Sequence, residues 1–286
     1  MTLPRVALAV IGDEVGPSLS EMISFCGENG LSRLDMRTVD GRNLLGMTLD
    51  EVKAISDTLN DAGIEVPTFV SPILKWAAPG KAPAGGKVDF AFDPRSCPVE
   101  DPLAHAFDIA TVLGAPRIRV FSHLRYPGFA ATDLEATIDR LVDLGTRHDV
   151  FIEMENEPVC NIGSVAELAT FFRDLPDVPD YLRPLVDVGN SWSIGEPPTA
   201  EDIAFLAPSV DLIHIKDRDF TGERGVPVGD GAVPWAMELK RLLEGVTGRE
   251  VVASLETHCP QDPRNATAKS VAALRRIAGE IGVEIV

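Results

Sequence analysis

Residues 183–217 read RPLVDVGNSWSIGEPPTAEDIAFLAPSVDLIHIKD. Two short β-rich runs, Arg183–Asp187 and Leu212–Ile215, flank a helical stretch at Ala200–Leu206. Strand, helix and strand of these lengths make a parallel βαβ unit. The alternation continues in both directions. Further β-rich runs are Arg5–Val10, Ser32–Arg37, Ile64–Val70, Arg117–Ser122, Val150–Glu155 and Val251–Glu256. Helical stretches between and after them are Leu19–Asn29, Leu49–Ala62, Pro102–Leu113, Leu134–His148, Val165–Asp174, Trp235–Glu244 and Ala266–Ile281. Eight such units in 286 residues predict one (β/α)₈ TIM barrel, a single α/β domain over 1–286. An open doubly wound sheet would carry a glycine-rich turn after the first strand. Here that strand leads into IGDEVGPS (11–18), which lacks GxGxxG, and no P-loop is present.

Helix punctuation agrees. Thr48 with Glu51, Thr132 with Glu135 and Ser164 with Glu167 have capping-box spacing. Gly30, Gly63 and Gly114 stand where helices stop. The longest irregular stretch, Ser71–Glu100, follows the third strand, where it serves either as a functional lid or as a plain insertion.

Composition narrows the functional classes. Apolar residues make up 45% and charged residues 24%, enough for a large core in a soluble protein. Net charge is −18 with no Lys/Arg cluster, which argues against nucleic acid and anionic membrane as partners. No apolar run reaches membrane-spanning length, and the N-terminus lacks signal-peptide order, so a cytoplasmic location is expected. Cys26, Cys97, Cys160 and Cys259 lack CxxC spacing and read as reduced packing residues. A homo-oligomer stays open.

Four consecutive strands end in a potential metal ligand: Glu155 in FIEMENEP, Asp187 in RPLVDVGN, His214 in DLIHIKD and Glu256 in VVASLETH. Active sites of these barrels lie at the C-terminal ends of the strands. Side chains alternate between interior and helix layer, so inward ligands put Met154, Val186, Ile213, Ile215 and Leu255 outward. Strands lie roughly 4.8 Å apart, and the outer pair of ligands carries the longer glutamate arms. Three carboxylates and one imidazole suit one divalent ion, Mn²⁺ first, with Mg²⁺, Co²⁺ or Zn²⁺ fitting the same donors. Such an ion would polarise a hydroxy-ketone and stabilise an enediolate, with Glu155 and Glu256 as acid and base.

These motifs resemble the xylose isomerase-like sugar phosphate isomerase/epimerase superfamily, which includes ketose 3-epimerases, hydroxypyruvate isomerase and inosose dehydratase. The resemblance covers essentially the whole chain and rests on EN (155–156), VDVGN (186–190), HIKD (214–217), GDG (229–231) and LETH (255–258). It implies metal ligation by Glu155, Asp187, His214 and Glu256, with Glu155 and Glu256 as the acid/base pair. Two positions depart from the family pattern. Glu157 and Asn190 stand where histidines are common. Asn190 keeps a hydrogen-bond donor for substrate but no charge.

The opposite wall should bind the distal end of a carbohydrate. Candidates there are Arg37, Lys75 and His123; Lys216, which shares the parity of His214, and Asn190 after strand six are further substrate-binding candidates, with Trp192 and Trp76 in loops above. Arg37 pairing with Asp35, and Arg119 with Glu153, are the expected interior ion pairs. His105 and His148 read as helical packing or surface residues, and His258 as a weaker site candidate. The leading reading is a metal-dependent isomerase or epimerase of a sugar hydroxy-ketone. The alternative is a lyase that expels a leaving group from a keto-sugar or keto-inositol. A sugar-binding barrel without catalysis would have lost a ligand, and all four are present. A metal-dependent endonuclease of similar fold would need a basic face and more than five histidines.

Overall fold

The computed structural model describes residues 3–85, 92–221, 224–246 and 249–286. Its centre is a curled, parallel, seven-stranded sheet. In chain order we call the extended segments staves one to eight. Stave one is Val6–Ile11, two Leu34–Asp35, four Arg117–Val120, five Phe151–Glu155, six Leu182–Asp187, seven Leu212–Ile215 and eight Val251–Leu255. Hydrogen-bonded order runs two, one, eight, seven, six, five, four.

The third stave, residues 64–70, fills the gap with isolated bridges: Arg33↔Glu65 and Met36↔Phe69 on one side, Phe69↔Ile118 on the other. The regular ladder therefore stops short of full closure. Pro67 lies in this segment and has no N–H to give to a ladder.

The expected helices form with ends shifted by a few residues at most: Leu19–Asn29, Leu49–Asp61, Pro102–Leu113, Glu135–His148, Val165–Asp174, Ala200–Leu206, Trp235–Gly245 and Pro263–Ile281. A further short helix, Val188–Ser193, begins directly on Asp187. Thr48 and Glu51 form a full capping box, as do Ser18 and Glu21. The Thr132–Glu135 box does not form: the chain starts a turn earlier, and Asp133 accepts from the Ala130 N–H. Ser164 caps its helix, but Glu167 turns to the Gly163 N–H and Arg125.

Register fixes which side chains face the barrel axis. Glu155 is level with Leu185, Asp187 with His214, and His214 with Ser254. All share the parity of Glu256. The ligands thus climb diagonally, as tilted barrel strands require. Beneath them Ala7, Ala9, Leu185, Leu212 and Val252 make a dry interior layer. The larger apolar core lies between staves and helices.

Lower still, Glu153 is buried, and among the described residues neither carboxylate oxygen has a hydrogen-bond partner. Burial pushes its carboxyl up to about 7, against the opposing charges of Arg117, Arg183 and Arg249. The Arg117 Nε lies 3.9 Å away. A raised carboxyl means that the folded state keeps a proton which the unfolded chain releases. This group therefore loses stability as pH climbs from about 4.5 to about 7, by at most roughly 3 kcal/mol. Glu153→Gln should raise the urea midpoint at pH 8 and leave it nearly unchanged at pH 5. Equal shifts at both pH values would contradict this assignment.

Candidate active site

One donor atom from each of Glu155, Asp187, His214 and Glu256 lies within 4.8 Å of the others. All four side chains are buried. His214 Nδ1 stands between the two glutamates, 3.2 Å from Glu155 Oε1 and 3.7 Å from Glu256 Oε2. His214 Nε2 is buried without a hydrogen-bond partner among the described residues, while Glu155 Oε2 and Asp187 Oδ2 face cations, Arg119 at 3.3 Å and Lys216 at 2.8 Å. Hard oxygen donors converging with an imidazole left unsatisfied at Nε2 fit a divalent ion.

Local chemistry explains the convergence. Asp187 Oδ1 caps the short helix through the Asn190 N–H at 2.7 Å. This leaves Oδ2 for the centre, 2.8 Å from Lys216 Nζ. Asn156 clamps stave five to stave six: its amide accepts from the Asp187 N–H and donates to the Asp187 carbonyl, both at 2.9 Å. Asn190 Nδ2 donates to the Asn156 carbonyl at 2.8 Å. The EN and VDVGN motifs are thus one lock. Asp217 does similar work in HIKD. Its carboxylate accepts from the backbone N–H of Gly229 and Val233, and so draws the GDG loop over the mouth.

Cations balance the acids. Lys216 Nζ also lies 2.6 Å from Glu256 Oε2. Arg119 Nη1 is 3.3 Å from Glu155 and 3.9 Å from Glu256. Arg37 meets Glu256 at 2.8 Å, Glu14 at 2.9 Å and Asp13 at 2.9 Å. His258 Nε2 reaches Glu256 Oε1 at 3.2 Å from a left-handed backbone, φ 51°, held by its N–H to Glu14.

Burial alone would raise Glu155, but His214 and Arg119 outweigh it and hold the carboxyl at about 2. Burial likewise opposes ionisation of Glu256, and Lys216, His258 and His214 bring it well below the usual range. Burial, aided by Glu155 and Glu256, lifts Asp187 to about 6 despite Lys216. Burial favours neutral His214, yet Glu155 and Glu256 raise its pKa.

Two expected interior pairs do not form. Arg37 does not bind Asp35, which is buried beside the Ser254 and Thr68 hydroxyls. Its guanidinium instead meets Asp13 and Glu14 past the end of stave one. Arg119 passes Glu153 for the carboxylates one layer above, while Arg117 approaches Glu153 from the same stave. Asp13 and Glu14 escaped the sequence reading. The strand-end rule that found the other ligands would have found them in IGDE.

On the opposite wall, Lys75 binds Glu157 at 3.1 Å and lies over the Phe121 ring. Glu157, one of the family departures, is therefore a partner for Lys75. His123, at φ 60°, turns Nδ1 to the Trp76 carbonyl, and burial lowers its pKa. Trp192 packs against the core with its indole N–H buried and unpartnered. Trp76 packs near Phe92, their ring centroids 6.3 Å apart. The loop 71–100 is described except for 86–91. All four cysteines are free thiols.

A family profile described as a xylose isomerase-like TIM barrel matches residues 31–277. The chain belongs to that family. Among solved structures, the family barrel is shared with the IolI protein carrying a bound zinc atom, at TM-score 0.71 and 13% identity over 96% of this chain and 99% of that one. L-ribulose 3-epimerase gives TM-score 0.71 and 13% identity over 99% and 96%. A 3-keto-D-glucoside 4-epimerase from E. coli gives 0.68 and 15% over 96% and 99%. No curated protein matches the sequence. Among the described residues no helix is long and apolar enough to cross a membrane.

A side chain at Gly189 would place its Cβ 2.4 Å from Lys216 Cγ and 2.7 Å from the Lys216 carbonyl. Gly189→Ala should therefore displace Lys216 from Asp187 and destabilise the fold by roughly 1–3 kcal/mol, visible as a lower urea midpoint. An unchanged midpoint would contradict the contact. Metal binding needs Asp187 ionised and His214 neutral. Divalent-ion affinity should rise at least roughly fivefold from pH 5 to pH 6, with proton release on binding. A pH-independent affinity would contradict the Asp187 assignment.

Proposed function

We propose that this protein is a divalent-metal-dependent isomerase or epimerase acting on a sugar or sugar-derivative hydroxy-ketone. The observation that carries the reading is the convergence of four buried donors from four successive staves. Glu155, Asp187, His214 and Glu256 would hold the ion. Three oxygen donors and one nitrogen favour Mn²⁺, with Mg²⁺, Co²⁺ and Zn²⁺ compatible. The ion supplies Lewis-acid chemistry, drawing electron density from the substrate carbonyl so that the neighbouring C–H becomes acidic.

Both glutamates are ionised at neutral pH and flank His214, so each is available to take a proton from carbon. Their environments differ. Glu256 Oε1 meets Arg37 and His258, and its Oε2 meets Lys216. Among the described residues Glu155 Oε2 meets Arg119 alone, in an ion pair at 3.3 Å. Glu155 is therefore the better base. It takes the proton while the C–H electron pair moves into a new C=C bond and the carbonyl becomes an enediolate oxygen. Return of the proton to the former carbonyl carbon, with the hydroxyl proton of the adjacent carbon passing to the enediolate oxygen as that carbon becomes the new carbonyl, gives an isomer. Delivery to the opposite face of the same carbon, of a proton that Glu256 takes up from solvent while Glu155 gives its own back to solvent, gives an epimer. Lys216 and Arg37 keep Glu256 in place throughout, and Asn190 fixes the Asn156 backbone beside the ligands. His123, Lys75 and Trp192 form the wall for the distal end of the carbohydrate.

Glu155→Gln and Glu256→Gln should each lower kcat by about 10²–10⁴-fold. The assay is turnover of hydroxy-ketoses in D₂O by ion-loaded protein, with products read by mass. One deuterium at otherwise unchanged mass means isomerisation or epimerisation. Loss of water or an aglycone means the lyase reading. Wild-type turnover surviving both substitutions would end the proposal.

A further inference from the structure

Five cationic side chains stand at or just past the stave ends, and four are committed to carboxylates. Arg37 holds Asp13, Glu14 and Glu256; Arg119 holds Glu155 and Glu256. Lys75 holds Glu157, and Lys216 bridges Asp187 and Glu256. Arg218 is different. Among the described residues its guanidinium makes no ion pair or hydrogen bond, and its Nε is buried with no partner.

Its backbone position is well fixed. Arg218 lies two residues past Lys216, and Asp217 between them turns its carboxylate onto the Gly229 and Val233 N–H groups. Across a short antiparallel ladder Arg218 faces Gly225. Gly225 is pressed onto stave eight: a Cβ there would lie 2.3 Å from the His258 carbonyl and 2.7 Å from that of Thr257. The His258 ring in turn touches Glu256. Arg218 therefore stands beside the Glu256 end of the ligand set, close enough for its charge to act on the Cys259 thiol.

We propose that Arg218 binds an oxyanion, a carboxylate or a phosphate, on the part of the substrate that lies beside the Glu256 end of the ligand set. This rests on reading the mouth as a sugar-isomerising site. The planar guanidinium fork matches both anions, and a buried N–H without a partner is favoured to gain one from a ligand. The other four cations are neutralised and poorly placed to do this. A chain of net charge −18 repels anions at long range, so an anionic substrate needs such a local cation.

The test is calorimetric titration of wild type, Arg218→Met and Arg218→Lys with glycerate, glycerol 3-phosphate and glycerol. It is run on the protein both as isolated and ion-loaded. The proposal expects one anion to bind wild type better than glycerol does. Arg218→Met should weaken that binding at least tenfold, and Arg218→Lys by less. The preferred anion separates carboxylate from phosphate. Equal binding of anions and glycerol, or anion binding that survives Arg218→Met, would overturn it. Ion uptake is measured in the same samples. A protein that binds the anion through Arg218 but takes up no ion loses only the isomerase reading.

Discussion

Three carboxylates and an imidazole are held together, buried, at one end of a barrel. Keeping like charges buried and adjacent is costly unless cations or a metal answer them. Much of the mouth serves that need. Lys216 stands between Asp187 and Glu256, Arg119 between Glu155 and Glu256, and Arg37 ties Glu256 to the acids past stave one. Gly189 is bare so that Lys216 has room. Asn156 and Asn190 lock two staves so that Glu155 and Asp187 keep their spacing. The site is thus a charge-balanced cluster poised for an ion, with its ionisation states set by neighbours on other staves.

The balance is uneven, and the unevenness has chemical meaning. Glu256 is gripped from three directions, whereas Glu155 keeps one oxygen with only a loose ion pair. Asp187 divides its oxygens between capping a helix and facing the centre. Helix capping and a place in the donor cluster therefore coexist in one side chain. Glu157 is used in a comparable way: it fastens Lys75 across the mouth.

Much of this was legible in the sequence. Period, helix caps and strand-end residues predict the staves, the parity and the four donors that converge at the mouth, because these depend on local pattern. The third stave was legible as a β-rich run but not as an irregular one, since only the tertiary pairing around Pro67 decides how many ladder bonds form. The ion pairs were less legible. Arg37 and Arg119 have long arms, and inward parity says only that they enter the barrel, not which layer they reach. Asp35 and Glu153 lay nearer in pattern, yet Glu14, Glu155 and Glu256 won, because that layer holds the larger concentration of negative charge. Asp13 and Glu14 were hidden in a turn whose glycine drew attention to a motif it lacks.

The central claim is that one divalent ion sits among Glu155, Asp187, His214 and Glu256. Electron–nuclear double resonance on the Mn²⁺-loaded protein addresses it directly. The account predicts one tightly bound ion per chain with a single coordinated nitrogen, whose coupling disappears in His214→Ala. Absence of tight Mn²⁺ binding, or a nitrogen coupling unchanged by that substitution, would contradict it.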